Sequence, residues 1–308
     1  MSKYEAKVIE DSISESGKRL TTVQLTYPRY IHSELMTHRT FSRNASSSRA
    51  IPVAKLAASA LENMVEPIRY GKNQAGMQAS MEDLQGADLE KAREVWKRMA
   101  NECAKGAQEL AELGLHKQWA NRPLEWFSNI SVLVTATDWQ NFFALRCHPD
   151  AQPEIKELAM AIRDAMAKSI PRILKEGEWH LPYVSDEERS AFGPIQTHLR
   201  GGPGGFQAWT TQMEAELCCK LSAARCARVS YMLHDGTVPN IAKDLELYER
   251  LVGSAPIHAS PIEHQATPDE WIRWTAQWDR PELHGNFVGW KQYRKMVERD
   301  FRLDSKSL

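Results

Sequence analysis

The sequence predicts an α+β fold, with strands and long helices in separate stretches of the chain. Two strand-like segments flank a polar turn between residues 4 and 27, a β-branched run occupies residues 129–135, and residues 88–113 repeat apolar side chains at helical spacing.

Taken in order, Tyr4 to Ile9 and Leu20 to Tyr27 read as a hairpin around Ser14-Glu15-Ser16-Gly17. Its return strand sets Val23, Leu25 and Tyr27 on one face and Thr22, Gln24 and Thr26 on the other, as one buried face requires. Pro28 ends the strand and suits the first turn of a helix through about Arg39, with Ile31, Leu35 and His38 at helical spacing. That helix empties into Met36–Arg49, where three arginines, one histidine and four serines stand beside only Met36, Phe41 and Ala45 as apolar residues. Arginine offers a planar fork of donors, and serine hydroxyls fill remaining acceptor sites. The segment therefore reads as an anion-binding loop made for a ligand rather than a core, with ordinary solvated polarity as the alternative.

Leu89, Ala92, Val95, Trp96, Met99, Cys103 and Leu110 form the stripe of a long amphipathic helix stopped at Gly114, and this stripe is expected in the core. Asn129 to Thr135 is a buried strand by its β-branched content. Thr137-Asp138-Trp139-Gln140 fits a capping box that opens a helix to Cys147, carrying Asn141 and Arg146. A further helix is expected from Pro153 to about Leu174. Arg200-Gly201-Gly202-Pro203-Gly204-Gly205 reads as a flexible linker, inside a joining segment 186–213 that separates residues 1–185 from residues 214–308 of one folded unit. Trp209 to Arg228 and Asn240 to Leu251 read as helices, and His258-Ala259-Ser260-Pro261-Ile262-Glu263-His264 as a polar loop. The tryptophan-rich tail 267–308 matches no single pattern.

Lysine plus arginine (39) balance aspartate plus glutamate (40), so no global field points to nucleic acid or a membrane surface as partner. Five cysteines without a CxxC pair or zinc spacing fit reduced thiols, and no apolar run approaches a membrane span, so a cytoplasmic location is expected. P-loop, GxGxxG, GxSxG and HExxH motifs are all missing from the sequence. His258, Glu263 and His264 lack the spacing of a zinc helix, so no metal is expected; His234-Asp235 precedes Gly236 and reads as turn chemistry. Cys218, Cys219 and Cys226 sit in an alanine- and leucine-rich helix, the setting of inert thiols.

Four polar clusters remain, and together they resemble the flavin-dependent thymidylate synthases (ThyX). His38, Arg39, Asn44, Ser47 and Arg49 occupy places in that family's Arg-His-Arg…Ser-x-Arg signature, with Thr37 where the first arginine stands and Ala45 in place of a glutamate. Ala224-Arg225-Cys226-Ala227-Arg228-Val229-Ser230 is similar to a family segment that is normally N-terminal, and His258 to His264 is similar to the His-x-Thr-Pro-Phe-Glu-His loop that follows it. Asn141-Phe142-Phe143-Ala144-Leu145-Arg146 resembles the family's Asn-Phe-x-x-Leu-Arg helix. The altered order resembles a circular permutation of a mixed or antiparallel sheet with packed helices and a helical subdomain.

The resemblance implies methylation of dUMP with methylenetetrahydrofolate and NADPH as co-substrates and FAD as cofactor, in a homotetramer. It implies Arg146 and Ser47 as catalytic residues and Glu34, Ser47, Ser48, Arg49, Arg122 and Arg146 around the nucleotide. Arg146 would face the pyrimidine, the alternative being a salt bridge to Asp138 or Asp150. His38, Arg39, Asn141, Ser230, His258, Ser260 and Glu263 match flavin-contacting positions. Glu34 stands where the family has glutamine; with Thr37 and Ala45 it changes the donors near the base, which leaves hydroxymethylation, a dCMP substrate, or a non-catalytic nucleotide-binding role as alternatives.

Overall fold

Period-two burial builds the sheet first. In the computed structural model, which describes residues 4–191, 206–231 and 240–304, β1 (Glu5–Ser14) and β2 (Arg19–Pro28) form the expected hairpin. Then come α1 (His32–Met36), β3 (Ser42–Ala45), α2 (Val53–Glu62), α3 (Gly86–Glu112), α4 (Lys117–Ala120), β4 (Asn129–Ala136), α5 (Gln140–Arg146), α6 (Pro153–Lys168) and β5 (Arg172–Leu174). After these follow α7 (Asp186–Ala191), α8 (Phe206–Tyr231), α9 (Ile241–Leu251), β6 (Ala266–Pro268), β7 (Trp271–Ile272), β8 (Gln277–Trp278), β9 (Trp290–Gln292) and α10 (Tyr293–Asp304).

The main sheet is mixed, in the order β3-β4-β2-β1-β5, antiparallel except where β5 runs parallel to β1. Val23, Leu25 and Tyr27 share one face with Ile130, Val132 and Val134, and α6 closes it with Ile155, Leu158 and Ile162. Each such side chain, fully withdrawn from water, contributes about 1.5–3 kcal/mol. The other face is covered by α8, whose Cys226 and Val229 pack on Leu133.

That second face also carries polar groups, which hydrogen-bond to one another in a chain that leaves only His264 Nε2 unpartnered. Ser12 Oγ meets His180 Nδ1 at 2.9 Å, His180 Nε2 meets Thr22 Oγ1 at 2.8 Å, Thr22 meets Thr135 at 2.6 Å, and Thr135 meets His264 Nδ1 at 2.8 Å. Burial pushes the pKa of both imidazoles down, that of His264 to about 3. Both therefore stay neutral in the folded chain while the unfolded chain takes up protons near 6.5. Stability is thus complete above that value and is lost as pH falls below it, by about 1.4 kcal/mol per pH unit for each histidine. Urea midpoints at pH 7.5 and 5.5 test this; equal midpoints would refute it.

Several expectations need correction. The helix expected from Pro153 to Leu174 stops at Lys168, because Pro171 lacks an amide proton and disfavours helix in the residue before it; Arg172–Leu174 is an edge strand. The helix after Pro28 is a 3-10 turn, Arg29–Ile31, followed by α1, which ends at Met36 rather than Arg39. Thr37 Oγ1 donates to Glu34 O at 2.7 Å, a local bond that competes with helix continuation. The capping box does not form: Asp138 Oδ1 accepts from Gln140 N at 3.2 Å, while Thr137 Oγ1 accepts from Val288 N in the tail at 3.1 Å. Along α3 only Ala100, Ala104 and Ala107 are buried, whereas Leu89, Val95, Trp96, Cys103 and Leu110 are half-buried and Met99 is exposed, because α2 and the 3-10 turn Arg122–Phe127 cover only part of the stripe.

Within the segment read as linker, Asp186–Ala191 and the residues from Phe206 onward are helical; Arg200–Gly205 and His234–Gly236 lie outside the described residues. The tail is ordered by aromatic burial, with Phe287 and Trp290 packed on Leu20 and Leu174. Trp290 Nε1 donates to Lys18 O at 3.2 Å. Beside it Gly289 has φ +81°, and a Cβ there would stand 2.8 Å from the Trp278 ring and 2.9 Å from Lys18. Gly289→Ala is expected to cost about 1–3 kcal/mol through backbone strain and overpacking. Thermal denaturation checks this, and an unshifted transition would contradict the tight approach.

Candidate functional site

The segment Met36–Arg49 is the outer edge of the sheet, and its serines obey the sheet's period. Ser42, Asn44, Ser46 and Ser48 are buried, while Arg43, Ala45 and Ser47 are half-buried between them. Each buried polar group is satisfied inside the chain. Asn44 Nδ2 donates to Cys226 O at 3.0 Å, Ser46 Oγ accepts from Ser131 N at 3.1 Å, and Ser48 Oγ donates to Glu125 at 2.6 Å. Ser42 Oγ accepts from Gln292 Nε2 at 3.2 Å and from Asn286 Nδ2 at 3.1 Å. The reading of the whole segment as a loop made for a ligand is therefore corrected: alternate residues anchor β3 and its continuation inside the chain, the intervening ones are more open, and a ligand reaches Ser48 Oγ only in place of Glu125.

Where α1 ends, His38 turns into an aromatic cage, with Phe41 at 5.7 Å and Phe142 edge-on at 4.9 Å between ring centroids. Its Nε2 accepts a hydrogen bond from Arg146 Nε at 3.0 Å, so the proton of the neutral ring belongs on Nδ1. Burial, then Arg146 and Arg43, push its pKa down. Arg146 Nη2 also donates to Thr37 Oγ1 at 3.2 Å and to Glu34 O at 3.5 Å. Thr37 can accept this bond; an arginine there, being donor-only, could not. Neither Asp138 nor Asp150 pairs with Arg146, which among the described residues has no carboxylate partner. Glu34, Thr37, His38 and Arg146 thus form one cluster around a half-buried, uncompensated cation.

A second cluster lies at the other end of β3. Arg29 Nη2 donates to Ser46 O at 3.1 Å, and its Nη1 lies 3.8 Å from Glu125. Its buried Nε has no hydrogen-bond partner among the described residues, and burial pulls its pKa down. Arg122 pairs with Glu125 at 3.0 Å, and Arg49 Nε donates weakly to Ser47 Oγ at 3.4 Å. Ser47 N donates to Ser230 O at 3.0 Å, which joins the end of β3 to the end of α8.

The remaining expected residues stand apart. Glu263 is half-buried against Arg294, its pKa raised by burial and held back by that arginine, and its carbonyl accepts from Gln292 Nε2 at 2.9 Å. Arg39, Asn141, His258 and Ser260 are exposed, and no described hydrogen bond ties their side chains to the His38–Arg146 cluster. Among the described residues no group of three or more His, Cys, Asp and Glu side chains is placed to hold a metal ion. Burial pushes the Cys219 and Cys226 thiols up, away from nucleophile chemistry. A groove of about 850 Å³ lies elsewhere, between the hairpin turn and the tail, lined by Lys18, Glu176, Trp271 and Trp278; it contains none of the expected site residues.

Sequence reasoning missed Arg29, Arg43, Glu125, Asn286, Gln292 and Arg294. Arg43 Nη1 donates to Met36 O at 3.0 Å and closes the α1–β3 turn. The buried small polar residues alternating around Arg43 could have revealed it; nothing local marked Asn286, Gln292 or Arg294 as partners of Ser42 and Glu263.

A family model described as "Thymidylate synthase complementing protein" matches residues 19–172. No curated protein matches the sequence. Among solved structures, a UMP/dUMP methylase PolB from Streptomyces cacaoi bound with 5-Br dUMP is 18% identical with a TM-score of 0.45, covering 55% of this chain and 91% of that chain. The same methylase bound with 5-Br UMP is 17% identical with a TM-score of 0.42, covering 55% of this chain and 90% of that chain.

Proposed function

Since the chain belongs to the thymidylate synthase complementing protein family, the flavin-dependent thymidylate synthases, we propose that it methylates dUMP to dTMP with methylenetetrahydrofolate and NADPH. The observation that carries this reading is the Arg146 guanidinium, aimed by His38 and Thr37 and left without a counter-charge. Such a cation stabilises negative charge developing on a pyrimidine ring as carbon five gains the one-carbon unit and loses its proton. Ser47, Ser48, Arg49 and Arg122 supply hydroxyl and guanidinium donors for the phosphate, and Ser47 positions rather than attacks, having no base beside it.

The residues also fit FAD. Arg146 has no carboxylate in salt-bridge contact among the described residues, Arg43 has only the nearby charge of Glu263, and Arg39, Asn141, His258 and Ser260 expose donors and acceptors suited to a dinucleotide. Glu263 would serve it through its backbone or by exchanging Arg294, and Ser230 is joined to Ser47 by the backbone hydrogen bond that Ser47 N donates to Ser230 O. When bound, the flavin would supply the hydride that completes the methyl group. The return of α8 onto β3 supports a circularly permuted chain, with residues 214–308 standing for the family's usual N-terminal part. A homotetramer is part of the same proposal, as the family resemblance implies, and the half-covered stripe of α3 leaves apolar surface that a second copy could cover.

A second reading keeps the fold and flavin but changes the base or product. Glu34, a carboxylate that accepts from Ser33 at 3.0 Å, suits the amino group of a cytosine nucleotide better than a uracil carbonyl. Incubation of the purified protein with FAD, NADPH and methylenetetrahydrofolate, with dUMP or dCMP, decides between them by product mass. A methyl gain on dUMP supports the first reading; a product from dCMP, or a hydroxymethyl product, replaces it. A protein that binds FAD and nucleotide but forms no product is the non-catalytic homologue.

A further inference from the structure

Asn286, in the tail, grips both chain neighbours of Phe41. Its Nδ2 donates to Thr40 O at 2.8 Å and to Ser42 Oγ at 3.1 Å, and its Oδ1 accepts from Gln292 Nε2 at 3.0 Å. The turn that carries it is held from within. His284 Nδ1 accepts from Gly289 N at 3.2 Å, its Nε2–H donates to the fully buried Asp269 side chain at 2.8 Å, and Phe287 N donates to His284 O at 2.9 Å. Phe287 and Trp290, both withdrawn from water, root the turn in the core beside Leu20 and Leu174. This tail lies outside the residues 19–172 that the family model matches, so no family motif carries Asn286.

The Phe41 ring is the wall against which the Arg146 cluster stands. Its centroid lies 5.7 Å from that of His38, 4.7 Å from Trp139 and 5.3 Å from Phe142, the last two at the start of α5. The same turn reaches the entry to α5 directly, since Val288 N donates to Thr137 Oγ1 at 3.1 Å, and reaches the Ser260–Glu263 turn through Gln292 Nε2 and Glu263 O at 2.9 Å. Resting on the reading of Arg146 as the cation that faces the pyrimidine, we infer that Asn286 is a positioning residue for that reaction: by pinning Thr40 and Ser42 it fixes Phe41 against His38, and His38 in turn holds Arg146 Nε. A side-chain amide suits the task because it donates and accepts at once, whereas alanine does neither and an ionised aspartate cannot donate. With the pin removed, Phe41 gains freedom and the guanidinium loses the fixed acceptor that aims it; a misplacement of about 1 Å costs about 10²-fold in rate. The phosphate donors Ser47–Arg49 and Arg122 lie at the opposite end of β3 and keep their places.

Tritium release from carbon five, with FAD, methylenetetrahydrofolate and NADPH saturating, is measured across dUMP concentration for wild type, Asn286→Ala and Asn286→Asp. Both variants are expected to lose about 10–100-fold in kcat, with KM for dUMP within about threefold of wild type. Asn286→Asp keeps the shape and the bond from Gln292, so its kcat decides the matter if Asn286→Ala does not fold. A second readout needs no turnover: the titration of His38, followed by NMR of its ring protons in the purified chain. Burial, then Arg146 and Arg43, holds the wild-type midpoint below the ordinary imidazole value, and freeing Phe41 in Asn286→Ala should move it up. A purely structural Asn286 would lower the melting temperature and leave kcat and the His38 midpoint alone. A folded variant with wild-type kcat, a loss confined to KM, or an unmoved midpoint overturns the proposal. Absence of tritium release in wild type sinks the proposed reaction itself, and the midpoint then decides alone whether Asn286 positions His38.

Discussion

Arg146→Ala is expected to slow dUMP-dependent tritium release from carbon five by about 10²–10³-fold, the loss found when one preorganised charge donor is removed from a developing anion. The geometry explains why the effect should be large. The guanidinium is held by His38 Nε2 at 3.0 Å and Thr37 Oγ1 at 3.2 Å, both neutral acceptors, so its charge is oriented without being neutralised. His38 can play this part because burial in the Phe41–Phe142 cage keeps its ring unprotonated; a second cation there would repel the first. Arg146→Lys should not restore the rate, since an ammonium cannot hold His38 and Thr37 while facing a planar ring. Tritium release with substrate and reductant saturating is the measurement. Undiminished release in Arg146→Ala would remove Arg146 from the chemistry, and no release in wild type under reducing conditions would remove the chemistry from the protein.

Asp244→Ala is expected to destabilise the fold by about 3–5 kcal/mol, the cost of stripping one partner from a buried ion pair. Asp244 is fully buried on α9 and receives Arg225 Nε at 2.9 Å and Arg228 Nη2 at 2.6 Å from α8. Arg225 continues to Glu188 on α7 at 2.6 Å and donates to Tyr183 O at 2.7 Å. One buried carboxylate therefore joins two helices through two guanidinium groups, and its loss leaves positive charge in the interior with too few acceptors. Urea denaturation of the variant measures this, and a loss below about 1 kcal/mol would show that the network relaxes into water.

Arg225 also shows where motif reasoning and packing part. The sequence pattern around Arg225, Arg228 and Ser230 resembles a family signature, and Ser230 does meet Ser47 through its backbone. Arg225 itself is spent on Asp244 and Glu188, because a charge buried on an alanine-rich helix must be paired where it lies. Ser48 is a parallel case: its place in the motif marks a ligand, while its position on the buried side of the strand end gives it to Glu125.

Local pattern was enough for the hairpin, the β-branched strand β4, the long helix α3 and the helices α8 and α9, since period, turn residues and caps are short-range properties. It was also enough to bring forward the segment holding His38 and Arg49, because such residue types are costly in a core and crowd together there, whereas Glu34, Arg122 and Arg146 came forward through the family resemblance. Only the tertiary structure decided which of these meet. That Thr137 abandons its helix for Val288, that Ser42 is held by Asn286 and Gln292 from the far end of the chain, and that Glu125 stands where Ser48, Arg122 and Arg29 converge are outcomes of competition among partners more than 70 residues apart or on different elements. A hydrogen bond is short and directional, so its partner is set by where packing brings the chain, and no local period encodes that.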